Sequence, residues 1–122
     1  MMKPSGSAGA IQKCQPVYVK ADANVDLAQA DAVATAQVFG LASQEIAVGE
    51  SGAIQTDGIF TAADWTATTG AVTLTVGSSY FLDAASPGML TTTAPTTGYN
   101  CKVGRAVSAT DLDLNIRDSF KL

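Results

Sequence analysis

The side chains able to do chemistry are few in this chain, and their types narrow the options quickly. Among its 122 residues there is no histidine. That removes the one side chain that ordinarily titrates near neutral pH, and with it imidazole acid–base catalysis and imidazole-ligated metals. Cys14 and Cys101 are the only cysteines. Two thiolates cannot complete a tetrahedral zinc site, so they read as reduced, partly buried thiols, or as a bridge tying an early strand to a late one. Serine nucleophiles need an activating base. With histidine absent that base would be a lysine, and only Lys102 falls where a sheet could hold it, with no serine marked beside it. No Gly-x-Ser-x-Gly stretch and no phosphate-cradling Gly-x-x-x-x-Gly-Lys pattern occurs. Asp111 and Asp113 stand two apart and could contribute oxygens to a calcium site, or simply form the solvated face of a strand. Asp26 and Asp31 flank an alanine-rich turn that they could cap or solubilise. Trp65, Tyr80 and Tyr99 could line a sugar-binding face, or pack in the core or against a neighbouring subunit. The chemistry points away from an enzyme, and no cofactor or metal is called for.

The elements that carry these residues are short and rich in turns. Pro16-Val17-Tyr18-Val19-Lys20 reads as a strand with Val17 and Val19 on one face. The alanines of 26–32 favour a helical turn capped by Asn24 or Asp26. Residues 37–42 read as a buried strand in which Gly40 marks a close backbone approach. Residues 53–60 form a strand interrupted at Asp57-Gly58, as a kink, bulge or hairpin tip. Residues 61–70 are a connection carrying the only tryptophan. Ala71 to Val76 alternates strictly, which predicts a strand with Val72, Leu74 and Val76 inward. Strands follow over 79–83 and 89–92, separated by the Ser86-Pro87-Gly88 turn. Another covers 99–107 with Gly104 inside it, and a last alternating run covers 111–118 with Leu112, Leu114 and Ile116 inward. Seven or eight short strands with at most one helical segment predict a small β-sandwich or barrel.

Composition agrees with a single packed domain. Apolar residues make up 47% of the chain and charged residues 15%, the reverse of a disordered composition. So light a charge leaves Thr, Ser, Ala and Gly to cover the surface, which suits a protein packed against neighbours. No apolar run approaches the roughly 20 residues needed to cross a bilayer. The N-terminus has no apolar segment of the kind a secretory signal requires, so a soluble, cytosolically made chain is expected, with no membrane contact.

Charge is divided by region. Residues 1–20 hold Lys3, Lys13 and Lys20 and no acid. Residues 21–100 hold eight acids and no base, and the remainder mixes both. The three regions contribute +3, −8 and +1 to the net charge of −4. Residues 1–13, glycine-, serine- and alanine-rich before Ile11, read as an extended basic arm on an acidic β-domain of residues 14–122. The arm suits attachment to an acidic surface of a partner or a neighbouring copy. Three lysines on an acidic body do not make a nucleic-acid site. The residues expected to contact a shell or another subunit are Met1, Met2, Lys3, Ile11, Lys13 and Lys20.

The second half carries a resemblance. Its residues are Gly70 to Asp83, Pro87-Gly88-Met89-Leu90-Thr91, Ala94-Pro95-Thr96-Thr97-Gly98, and Val103 to Leu112. They resemble a series in phage virion proteins: L-x-x-G-x-x-Y-x-L, P-G-x-L-T, A-P-x-x-G, and V-G-x-A-x-S-A-T-x-L. Residues 34–42 look like the earlier V-x-G-L-A strand of the same proteins. The resemblance spans about residues 17–118 and is to the bacteriophage capsid decoration (cement) proteins and related virion β-modules. It implies an all-β, β-tulip-like domain in which the Tyr80-Phe81-Leu82 strand and the 103–107 strand share a sheet. It also implies a non-enzymatic homotrimer that decorates the outer capsid and bridges major capsid protein subunits. The other role open to such a module is the distal part of a tail or head fibre engaged in host attachment, and outside virions a soluble adaptor.

Overall fold

A computed structural model describes residues 11–20, 25–32, 34–47, 52–117 and 119–121. Short antiparallel strands dominate. Strands β1 (Pro16–Val19), β2 (Val25–Leu27), β3 (Gly40–Ala42) and β4 (Ile54–Gln55) form a sheet in the order β2-β1-β3-β4. A second sheet holds β5 (Gly58–Thr61), β6 (Ser79–Leu82), β7 (Leu90–Thr91), β9 (Lys102–Ala106) and β10 (Asp111–Leu114) in the order β5-β10-β9-β6-β7. β8 (Tyr99–Asn100) pairs with β11 (Phe120–Lys121), and α1 (Thr66–Thr69) is a single turn of helix. The chain is all-β, as its turn-rich alternation predicts.

The core lies between the two larger sheets. Leu41 and Cys14 pack there with Phe60, Trp65, Leu74, Tyr80, Leu90, Val103, Leu112 and Leu114. The far face of the four-stranded sheet is covered separately. Val17, Val25 and Ala42 pack beneath Ile11 and Ile46, which form an isolated antiparallel bridge. Cys14 makes the two coverings possible. It takes a left-handed backbone at φ 80, turning the chain so that Ile11 covers one face while Cys14 enters the core on the other. A third cluster, with Ala28, Ala30 and Ala36 around Leu82 and Cys101, seals the opposite end.

Register follows the pattern read in the sequence at several points. Leu82 pairs with Leu90 across the Pro87-Gly88 turn, where Gly88 has φ 72. The Tyr80 strand pairs with the Val103 strand. Leu112 and Leu114 are buried while Asp113 is exposed. Gly40 and Gly104 are close approaches. A Cβ at Gly104 would run into the Asp113 carbonyl, and one at Gly40 into that of Gln55. Asp57-Gly58 is the corner at which the chain leaves one sheet for the other, from β4 to β5.

Three expectations fail. The helical turn of 26–32 is instead β2 followed by a turn. Val25 and Leu27 face the Ile11 cluster, which favours the alternating strand. Helicity survives as one bond, Ala36 N–H to Ala32 O at 3.0 Å. Asn24 lies outside the described residues. The strand predicted at 71–76 does not form. Its backbone groups are taken individually: the Val72 carbonyl by Trp65 N–H at 3.0 Å, Leu74 N–H by Ala109 O at 2.9 Å, and Thr75 N–H by the Tyr80 hydroxyl at 2.8 Å. Only Leu74 is buried. Val72 and Val76 are 55% and 61% exposed. Val19, expected to share the buried face with Val17, is 40% exposed at the end of β1.

Two substitutions test this packing. Gly104→Ala forces β9 and β10 apart and is expected to cost about 1–3 kcal/mol, measured by denaturant unfolding. Thr68 is fully buried and its hydroxyl has no hydrogen-bond partner. Thr68→Val removes that orphan group at nearly constant shape and is expected to stabilise the fold by about 1 kcal/mol.

Candidate functional site

The clefts in the described surface are shallow and poor in reactive groups. One of about 260 Å³ is lined largely by hydroxyls, from Thr69, Thr73, Thr75, Tyr80 and Thr91, with Asp83 at its margin. A second, of about 350 Å³, lies between Gln12, Lys13 and Ala62, Asp64 and Ala67. A third, of about 270 Å³, runs along Asp83, Thr93, Pro95 and Thr97. None of them places a nucleophile against a base. Among the described residues no group of three His, Cys, Asp or Glu side chains could hold a metal ion.

The individual candidates have structural roles. Neither thiol is in a disulfide; Cys14 is buried in the main core, and Cys101 is buried beside Leu82, where it donates to the Arg117 carbonyl at 3.3 Å. Burial pushes the Cys14 thiol up to about 11; Lys13 opposes that rise and Asp64 adds to it. The Asp64 carboxylate is held below the usual range by the hydroxyl and then the backbone N–H of Thr66. Trp65 and Tyr80 are 0% and 3% exposed, so neither can stack on a sugar, and Tyr99 is half-buried. Asp113 projects outward from β10, and Asp111 accepts a hydrogen bond from the Thr110 hydroxyl at 3.2 Å.

The residues expected to make contacts fall in three places. Met1, Met2 and Lys3 lie outside the described residues. Ile11 is fully buried, bonded to Ile46 in both directions at 2.8 Å. It anchors the segment that precedes it and presents no side chain at the surface. Lys13 is exposed, beside the cleft that holds Asp64, and Lys20 is half-buried just past β1. An isoleucine after the Gly, Ser and Ala run of residues 5–10 carried the signal that the packed domain begins there.

A surface that the sequence reading expected to be buried is more prominent than any cleft. Val72, Val76 and Val107 are each more than half exposed. They sit on the 70–78 loop and on the turn between β9 and β10, which are joined by Gly77 N–H to Ala106 O at 2.8 Å and Ala106 N–H to Ser78 O at 3.0 Å. The signal available in the sequence was charge, since residues 65–82 contain no ionisable acid or base other than Tyr80.

The packed domain that begins at Ile11 matches a known family. The family model of the phage cement protein covers residues 11–113. The chain belongs to the phage cement protein family. The matched span begins at the anchoring Ile11 and ends in β10, so it takes in both larger sheets and the main core. No curated protein and no solved structure matches the chain. Cement proteins are structural components of phage virions that stabilise the capsid, and this cement protein has the all-β scaffold suited to that role.

The buried thiols give a direct check on the core. Neither is expected to react with a thiol reagent in the native cement protein near neutral pH, and both should react after unfolding. Unfolded chains ionise Cys14 at its ordinary pKa while the folded chain resists. Its contribution to stability is therefore complete below that pKa and lost as pH climbs towards about 11. Unfolding measured across this alkaline range should show the loss, and Cys14→Ala should reduce it.

Proposed function

We propose that this cement protein sits on the outer surface of a bacteriophage head, made in the host cytoplasm and added to the shell as homotrimers. There it bridges neighbouring major capsid protein subunits. The observation that carries this reading is the family match over the whole packed domain, joined to the position of Ile11. The bridge to Ile46 gives residues 1–10 a fixed point of departure. Those ten residues hold Lys3 and no acid, and an exposed Lys13 and a half-buried Lys20 follow in the chain. A weakly basic segment leaving the packed domain can lie along an acidic strip of shell while the domain spans the joint between capsomers.

The action is mechanical. Each bridging copy adds interface that must be broken before capsid subunits separate under the pressure of packaged DNA. A specific contact buries on the order of 800 Å² per partner. Repetition over the shell multiplies the effect, and two attachments per copy raise the effective affinity of each. No catalytic group, cofactor, nucleic acid or membrane is needed for this.

The test is a heat challenge of heads with and without the protein. Heads lacking it should release DNA at lower temperature, and adding purified protein should restore them. Deleting residues 1–10, which spares Ile11, should weaken head binding by about tenfold or more, near 1.4 kcal/mol, with unfolding unchanged. Wild-type binding should also weaken as salt is raised, because exposed charges are screened. Heads indifferent to the protein, or a deletion that binds as well as wild type, would remove the bridging role or the arm from the account.

A further inference from the structure

We propose that the hydroxyl-lined cleft beside β7 binds one neutral sugar ring, the terminal residue of a glycan. The inference goes beyond the bridging role proposed above and does not depend on it.

The first argument is a set of buried polar groups left unspent at this cleft. Tyr80 lines the cleft, whose volume is about 260 Å³, and is 3% exposed. Its hydroxyl accepts the Thr75 N–H at 2.8 Å, from a residue in the same lining. Among the described residues the hydroxyl proton meets no acceptor. Leu90, also 3% exposed and also in the lining, is in a similar position through its main chain. Leu82 gives its N–H to the Cys101 carbonyl on the β9 side, so the Leu82–Leu90 pair is not joined by hydrogen bonds. The N–H and carbonyl of Leu90 therefore turn away from β6. Because β7 is the outermost strand of its sheet, no further strand meets them. Buried polar groups without partners are rare in packed proteins. A bound molecule that both donates and accepts hydrogen bonds satisfies them.

The second argument is the rest of the lining, which selects the class of molecule. Thr73 and Thr75 from the 70–78 loop, with Thr91 and Thr92 at β7, bring further hydroxyls. Each can donate or accept, which suits a partner that does the same. Met89 and Leu90 offer aliphatic surface to the C–H face of a ring. Asp83 is the one charged residue in the lining; its carboxylate accepts the Ala85 N–H at 2.7 Å and keeps a second oxygen for a ligand hydroxyl. A carboxylate there opposes phosphate, sulfate and acidic sugars, so the site favours a neutral one. Thr73, Thr75 and Thr92 are exposed, which leaves a way out for the chain attached to the ring.

The other clefts lack these features. The one beside Lys13 carries charge of both signs, and the one along Pro95 has no buried polar side chain. With no exposed aromatic ring for stacking in the lining, a single sugar should bind weakly, with a dissociation constant on the order of 1 mM. Repetition on a particle would raise the effective strength through avidity.

The test is saturation-transfer NMR on the full-length protein. The probes are the methyl glycosides of glucose, galactose, mannose and N-acetylglucosamine, with N-acetylneuraminic acid as the charged comparison. Transfer to the ring protons of at least one neutral glycoside is expected, and none to the acid. The Thr73 side chain has no partner among the described residues, so Thr73→Val should unfold like wild type while weakening binding about threefold or more. Tyr80→Phe should weaken it further; should that variant loosen the fold, Thr73→Val still decides. Beads that display the bound sugar through its anomeric carbon should retain the protein. No transfer from any neutral glycoside well above the expected constant, or undiminished binding by Thr73→Val and Tyr80→Phe, would overturn the site and leave the cleft to water. Binding of the acid as tight as that of neutral sugars would overturn the role of Asp83, and binding of free hexoses without retention on the beads would overturn the glycan as their source.

Discussion

Trp65 is the interaction on which the arrangement depends. It is the largest fully buried side chain, with its ring tilted 60° to that of Phe60 at 5.5 Å. Its indole N–H donates to the Thr110 carbonyl at 3.1 Å, so it is buried with its polar atom satisfied. Its backbone N–H holds the Val72 carbonyl, and its own carbonyl accepts Thr68 and Thr69 N–H. One residue thus ties together strand β5, the single helical turn, the 70–78 loop and the β9–β10 turn. In a chain this short one core supplies nearly all the stability. A central aromatic that also satisfies loop backbone lets long connections be rigid without forming strands.

That constraint explains what the sequence disclosed and what it withheld. Alternation at Leu112 and Leu114, the Pro87-Gly88 turn and the pairing of the Tyr80 and Val103 strands were legible. In each case a local pattern and the tertiary packing favour the same conformation. The 71–76 segment has equally strict alternation but lacks a free neighbour to pair with. Trp65, Ala109 and Tyr80 claim its backbone groups one by one, and periodicity cannot report a competition settled by residues distant in sequence. The alanines of 26–32 misled in the opposite sense. Their helix preference is worth tenths of a kcal/mol each, less than burying Val25 and Leu27 against the Ile11 cluster. Ile11 itself lay at the end of a stretch whose composition suggested an arm, and its burial depends on Ile46, far along the chain.

The lack of histidine and of familiar catalytic motifs was readable at once, because it rests on residue types and not on conformation. Membership of the cement family gives the chain a structural, capsid-stabilising role. On the described surface Lys13 lines a cleft with Asp64, while three exposed valines sit on the fastened 70–78 loop and the adjoining β9–β10 turn. The buried thiols belong to the packing that holds that surface in place.

The most direct test of the central claim is a cryo-electron microscopy reconstruction of the mature phage head. The account predicts density for this domain on the outer surface, spanning the joints between capsomers. The N-terminal segment should run onto the major capsid protein. Density for this chain confined to the tail, or copies on the head that each touch a single capsid subunit, would contradict it.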